Sequence, residues 1–466
     1  MGGSTREALP IQHDRIDKAV RPPAGALFVR NEHKSLRGDN AWITMRRDEV
    51  QETPDQRTDD WGCQPCHVSW LTSCIRQCAD GHEACNADPE HQFHAPVFFI
   101  DCGNRRLCKA AQGMPYTALS YVWGKEHPND ESSDLDYLTT LPDVLPKTIE
   151  NAITLTKQLD IRYLWVDRYC IAKPEENPLI RHEQLKTMDQ IYGQAELTIV
   201  SLGGDPQTGL PGVDGTPRSI RRTEVIKGYT FKTTFRDPRQ VIMESKWNQR
   251  GWTYQEACLS RRKVYFTPEE AVFECNVTFQ SEIEDCLLPR GPLSLEDFPL
   301  LQNHDPLFTT AAGNLNRLNL LGQISTYCFR KLTYQSDVLN AFRGIISKYE
   351  RGPFSIQHYW GVPIYERSAT EEDETILMVK RNVARGQNES DQIIHGGSMS
   401  SKFAASLTWG SSAGSINHSR RSGFPSWSWT GWERTSCDPV YKSVDIGDVS
   451  IWIELANQQI RHVDSF

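Results

Sequence analysis

Between Trp61 and Cys108 the chain concentrates thiols: Cys63, Cys66, Cys74, Cys78, Cys85, Cys102 and Cys108. Cys74, Cys78 and His82 are spaced i, i+4, i+8, which places them on one face of a helix, with Cys85 about one turn further. Soft thiolates joined by an imidazole are what a tetrahedral zinc selects. Cys74, Cys78, His82 and Cys85 are therefore a candidate ligand set, with the Cys63-Gln-Pro-Cys66 pair close by. The bland alternative is core packing, since free cysteine is among the most buried residue types and the usual two-pair spacing of zinc modules is not met.

A second group of chemically able residues follows short apolar runs. Tyr116 to Val122 alternates and is rich in strand formers. Pro146 to Leu159 carries Ile149, Ala152, Ile153 and Leu159 at helical spacing, with the proline at a plausible first turn. Ile161 to Asp167 reads as a buried strand, Leu179 to Gln194 as a helix striped by Leu185, Met188, Ile191 and Tyr192, and Leu197 to Leu202 as a strand again. Strand and helix in alternation predict an α/β core with a parallel sheet. Ligands of such sheets gather beyond the carboxyl ends of the strands. That rule singles out Ser120 to Lys125, Asp167 to Lys173 and Ser201 to Gly212. The last is glycine-rich but lacks a Gly-Lys-Ser/Thr ending, so it reads as a connecting loop. There is no His-Glu-x-x-His and no Gly-x-Ser-x-Gly, and Cys170 has only His182 as a nearby imidazole.

The elements outside this core are more mixed. Residues 1–60 are polar and lack a sustained apolar period, so they are expected to be mobile. Residues 61–115 form the Cys-rich N-terminal region, 116–260 the α/β core and 261–466 a mixed α+β C-terminal region. In the last, Lys263 to Phe266 and Ala271 to Cys275 read as a hairpin, Leu320 to Glu350 is helical, and Gly361 to Thr408 is a polar surface insertion. Pro425 to Trp432 places tryptophans on alternate positions, as a strand facing a core would.

The 466 residues carry a formal net charge of −9, with a pI near 5.9 and a mean hydropathy of −0.54. That balance argues against a nucleic-acid partner, which needs clustered Lys and Arg. No run approaches the length of a membrane span and the first residues do not read as a secretory signal. With 13 cysteines, an odd number, the expectation is a cytoplasmic protein in a reducing compartment.

Three blocks now stand together: Tyr116-Thr-Ala-Leu-Ser-Tyr-Val-Trp-Gly124, Tyr163-Leu-Trp-Val-Asp-Arg-Tyr-Cys-Ile171 and Arg250-Gly-Trp-Thr-Tyr-Gln-Glu256. In this order and spacing they resemble the three defining motifs of the fungal heterokaryon incompatibility (HET) domain. Weaker likeness extends from Trp70 to Trp432. The chain departs from the pattern after Ile171, reading Ala172-Lys173-Pro174-Glu175-Glu176 where the family commonly has Gln followed by acidic residues, and at Ile180, where an acidic residue is common.

The resemblance implies a TIR-like, flavodoxin-like parallel sheet. It also implies a part in vegetative incompatibility: non-self recognition and programmed cell death, through self-association or docking of a protein partner. The alternative it brings is a TIR-like glycohydrolase that consumes NAD as its substrate. Neither reading demands a bound cofactor, and zinc enters only through the Cys-rich region. Hydrolysis of a glycosidic bond asks for a carboxylate beside an oxocarbenium-like centre, aromatic walls and polar groups. On that analogy Asp167, Glu183 and Glu256 are the catalytic candidates, and Ser120, Trp123, Gly124, Trp165 and Cys170 the ligand-binding ones. Each has a structural alternative. At 100° per residue Glu183 falls opposite the apolar stripe and would be solvated. Asp167 can tie down its own loop, and Glu256 can pair with Arg250 or Arg261.

Overall fold

The computed structural model describes residues 26–29, 41–47, 66, 68–86, 97–111, 113–124, 140–172, 178–219, 223–226, 229–233, 236–283, 305–308, 317–352, 356–365, 419–433, 452–454 and 460–462. In chain order the elements begin with β1 (Ala26–Val29), β2 (Ala41–Arg47), α1 (Val68–Gly81), β3 (Phe98–Asp101), β4 (Arg106–Lys109) and β5 (Tyr116–Ser120). Then come α2 (Lys147–Gln158), β6 (Tyr163–Val166), α3 (Asp167–Cys170), α4 (Pro178–Lys186), α5 (Met188–Gln194) and β7 (Leu197–Ser201). They are followed by β8 (Thr223–Ile226), β9 (Tyr229–Thr233), α6 (Pro238–Glu244), α7 (Gly251–Leu259), β10 (Arg262–Phe266), β11 (Ala271–Cys275) and β12 (Phe279–Ser281). The last are α8 (Arg317–Cys328), α9 (Asn340–Glu350), β13 (Ile356–Tyr359), β14 (Val362–Tyr365), β15 (Trp452–Glu454) and β16 (Ile460–His462).

The central sheet has eight strands in the order β12-β11-β10-β7-β5-β6-β3-β4. Its middle four, β10, β7, β5 and β6, run parallel. An antiparallel hairpin closes each side: β3–β4 against β6, and β11–β12 against β10. The sheet is thus α/β and mixed. Every residue of β5, β7, β10 and β11 is buried, as strands covered on both faces must be.

Register assigns the two faces. Thr117 pairs with Leu197 and Leu164, and Ala118 with Thr198 and Trp165. The Thr117 hydroxyl meets Thr156 of α2 at 2.6 Å, so α2 covers that face, burying Ile149, Ala152, Ile153 and Leu155. Asp160 ends α2 in the left-handed region at φ 59°, one of the few non-glycine types to tolerate it. On the other face Thr198 Oγ1 lies 2.7 Å from Ser260 Oγ, just after α7. Ser120 pairs with Val200 and so faces α7. That helix is buried at every residue except Trp252, because α9 packs over it. At Gly344 of α9 an added Cβ would stand 2.7 Å from Asp189 Cβ and 2.9 Å from Leu259 Cδ1. Tyr254, Tyr327, Phe342 and Trp429 complete this layer as an aromatic cluster.

Four expectations change. The helix predicted from Leu179 to Gln194 is two, α4 and α5, broken at Thr187. Its hydroxyl bonds back to the Glu183 carbonyl at 2.8 Å while its backbone flattens to ψ −3°, the bending that Ser/Thr back-bonding produces. Pro425 to Trp432 is not a strand: it turns and ends in a 3-10 turn over Trp429–Gly431. Trp429 is buried there with its indole bonded to the Gly361 carbonyl at 2.8 Å, whereas Trp427 is exposed. The N-terminal stretch contributes β1 and β2, which join β9 and β8 in a four-stranded sheet of order β1-β2-β9-β8. The insertion expected over Gly361 to Thr408 begins instead with β14, in which Val362 and Ile364 are buried; the rest of it, and the rest of residues 1–60, lie outside the described residues.

Candidate functional site

The parallel strands reverse direction of travel around β5. The chain passes from β5 to β6 on one side, then back over to β7 and β10 on the other. A crevice opens at the carboxyl end of such a reversal. The loops that follow β5 and β7 touch at Gly124, held at φ 76°, where a Cβ would collide with Pro206 Cδ at 2.5 Å. Glycine is needed there by both conformation and space.

Ser120, the last residue of β5, lies at the floor of this region. Its Oγ accepts a hydrogen bond from Trp247 Nε1 at 2.7 Å and donates one to Glu256 Oε2. Trp247 is fully buried and packs edge-on against Tyr265 and Phe308, so the serine hydroxyl is held in one orientation. Glu256 comes from the middle of α7 and is 5% exposed. Tyr192 of α5 adjoins it, with its hydroxyl also bonded to the Leu119 carbonyl at 3.3 Å.

Asp167 opens α3 where β6 ends. Its Oδ2 accepts from Trp123 Nε1 at 2.8 Å and its Oδ1 from the Arg168 N–H at 2.7 Å. Unlike Glu256 it is partly exposed, and Trp123 is 38% exposed. Trp123 and Asp167 therefore form the solvent-facing rim, with Glu256 and Ser120 beneath.

Burial pushes the Glu256 carboxyl up from 4.5 to about 7, and the negative charge of Asp167 adds to that rise against the hydrogen bond from Ser120 and the charge of Arg250. Burial likewise lifts Asp167 from 3.8 to about 6, opposed by the Trp123 and Arg168 hydrogen bonds and by Arg250. Where the charge of one carboxylate raises its neighbour in this way, the two titrate as a coupled pair. Near neutral pH such a pair holds an ionised and a protonated member, the condition for stabilising developing positive charge with one and moving a proton with the other.

Four of the sequence candidates, Ser120, Trp123, Asp167 and Glu256, come together here, beside Gly124. Trp165 is 1% exposed and packs edge-on against Tyr192 at 5.4 Å, under the site rather than in it. Cys170 is buried, accepts the Val166 N–H at 3.4 Å, and its thiol is pushed far above its usual range by burial, so no thiolate is on offer. Glu183 is not brought in: its side chain is 55% exposed and paired with Lys186 at 2.8 Å. Trp247 escaped sequence reasoning, although it stands only three residues before the Arg250 block. A cleft of about 590 Å³ lies further along the same end of the sheet, lined by Leu202, Arg218, Arg236 and Phe266 among others. No residue of the carboxyl cluster lines it, and its two arginines are spent on Glu282 and Glu244.

The candidate metal ligands are regrouped. Cys78, His82 and Cys85 have their ligand atoms within 4.8 Å of one another and of Cys275, at the end of β11. Cys74 is not among them. One turn earlier on α1, its thiol bonds Gln280 Oε1 at 3.2 Å. The helix stops at Gly81, and the 3-10 turn Glu83–Cys85 folds back, so the predicted straight stripe ends at Cys78.

Residues 116–256 match the family described as Heterokaryon incompatibility protein (HET). No curated protein matches the chain, and neither does any solved structure.

Proposed function

The chain is a heterokaryon incompatibility domain-containing protein, its HET domain spanning residues 116–256, and from that premise we propose that it relays non-self recognition into cell death through a nucleotide-cleaving site at the Asp167–Glu256 pair. The substrate class is a nicotinamide nucleotide of the NAD type. The observation that carries the reading is a pair of carboxyls, Asp167 at the rim and Glu256 buried beneath it, raised to about 6 and about 7, beyond the carboxyl ends of β5 and β6. Titratable groups so displaced cluster at functional sites. The order β6-β5-β7-β10 of the parallel strands also supports the TIR-like, flavodoxin-like kinship that the motifs imply.

In this reading Asp167, at the rim and mostly ionised at neutral pH, stabilises the ribosyl cation as the glycosidic C–N bond breaks and nicotinamide leaves with the bonding pair. Water adds to the ribosyl carbon and its proton passes to the carboxyl pair. Trp123 supplies the aromatic wall. Ser120 and Trp247 hold Glu256 in place.

A second reading has its own observation. Ser120, Glu256 and Trp247 satisfy one another in a closed, almost fully buried network, as an internal strut between β5 and α7 would. On that account the domain signals by self-association or by docking a cytoplasmic protein partner. NAD turnover by the full chain, dilute and then tethered into close pairs, separates the two. Turnover abolished in Asp167→Asn and Glu256→Gln but kept in Glu183→Ala establishes the glycohydrolase. Intact NAD in every condition from a folded protein leaves the docking role.

A further inference from the structure

The thiol cluster beside the sheet edge has no part in that function. Cys78 lies in the last turn of α1, His82 follows the helix, Cys85 ends the 3-10 turn, and Cys275 ends β11. All three cysteines are buried and free, and the His82 ring is half-buried. We propose that Cys78, His82, Cys85 and Cys275 form a closed tetrahedral zinc site that fastens the segment preceding the HET domain to the strand that follows it.

The geometry carries this. Zinc bonds of about 2.3 Å to sulfur and about 2.0 Å to nitrogen give tetrahedral edges of roughly 3.8 Å between sulfurs and roughly 3.5 Å between sulfur and nitrogen. The observed Cys275 Sγ to His82 Nδ1 separation is 3.4 Å, and all four ligand atoms lie within 4.8 Å of one another. His82 would bind through Nδ1.

The surroundings suit thiolates. Cys275 Sγ accepts the N–H groups of Val277 and Thr278 at 3.4 and 3.3 Å. Cys78 Sγ accepts from Arg262 Nε at 3.1 Å. Three thiolates, a neutral imidazole and a divalent ion sum to a single negative charge, which the adjoining guanidinium balances, as partners of metal ligands do. With four protein ligands there is no open position for substrate, so the role is structural. The anchored strand is β11, which pairs β10 and thereby extends the parallel sheet that positions Ser120 and Glu256. Because no preformed site exists in an unfolded chain, the binding energy of the ion becomes stability of this junction.

Elemental analysis of the full chain, purified without chelator from zinc-supplemented cells, should find a single equivalent of zinc. Cys275→Ser and Cys85→Ser should lose it, whereas Cys74→Ser should retain it in full. Where a variant fails to fold, the native chain gives the answer. After exchange into cobalt it should show the visible bands of tetrahedral cobalt and a thiolate-to-cobalt charge-transfer absorption. A folded chain that takes up neither ion, zinc retained by Cys275→Ser, or a disulfide joining two of these cysteines in protein purified without reductant would each overturn the assignment.

Discussion

Replacing Glu256 by glutamine tests whether the carboxyl pair is under the electrostatic stress that its surroundings imply. Because the folded protein raises Glu256 from 4.5 to about 7, it holds this proton more tightly than the unfolded chain does. The associated stability is fully present below pH 4.5 and is lost as pH climbs through about 7. At about 1.4 kcal/mol per pH unit of displacement, the full loss is about 3 kcal/mol, most of it between pH 5 and pH 8. Glutamine keeps an oxygen for the Ser120 hydroxyl and never ionises. Its extra N–H groups impose a penalty, but one that does not depend on pH. Melting temperatures of the native chain and Glu256→Gln should therefore diverge between pH 5 and pH 8, the variant gaining by about 2–3 kcal/mol. That is roughly 5–10 °C for a domain of this size. Parallel melting curves for the two proteins across that pH range would refute the account of Glu256 as a buried, proton-retaining acid.

Other consequences follow from close packing and buried polar groups. Gly344→Ala should lower stability by about 1–3 kcal/mol in chemical denaturation, since the new methyl meets Asp189 and Leu259 inside 3 Å. Asn151 Oδ1 accepts the Leu210 N–H at 2.9 Å and the Thr216 hydroxyl at 2.7 Å; Asn151→Ala strands both donors and should cost about 2–3 kcal/mol in the same assay. Arg218→Met leaves Glu282 buried without the guanidinium that now meets it at 2.7 Å, a loss of about 3–5 kcal/mol. That loss should shrink when Glu282→Gln is added, as a double-mutant cycle would measure.

Local pattern was enough to read the core. The alternation of Tyr116 to Ser120, the apolar spacing of Ile149, Ala152 and Ile153, and the continuous runs at Tyr163 to Val166 and Leu197 to Ser201 each encode one element and one buried face, because side-chain period is a property of the backbone. The hairpin of β10 and β11 was legible for the same reason. The three motif blocks likewise announced the HET domain without any coordinates. Where two local signals competed, pattern failed. The stripe from Leu185 to Tyr192 concealed the break at Thr187, and alternate tryptophans mimicked a strand where Trp429 instead plugs the cluster of Tyr327 and Phe342.

The site needed the tertiary structure. Ser120 and Glu256 are 136 residues apart and Ser120 and Trp247 127 apart, so nothing in their neighbourhoods couples them. Only the register of β5 with β7, and the packing of α7 beneath α9, turns the hydroxyl and the carboxyl toward each other and away from water. Burial raises the pKa of both Asp167 and Glu256, and the charge of Asp167 adds to the rise at Glu256; fully solvated, the same residues would titrate ordinarily. Cys275 entered the thiol cluster for the same reason, displacing Cys74: coordination geometry is set by distance in space, and the strand that brings Cys275 to His82 lies 193 residues further along the chain.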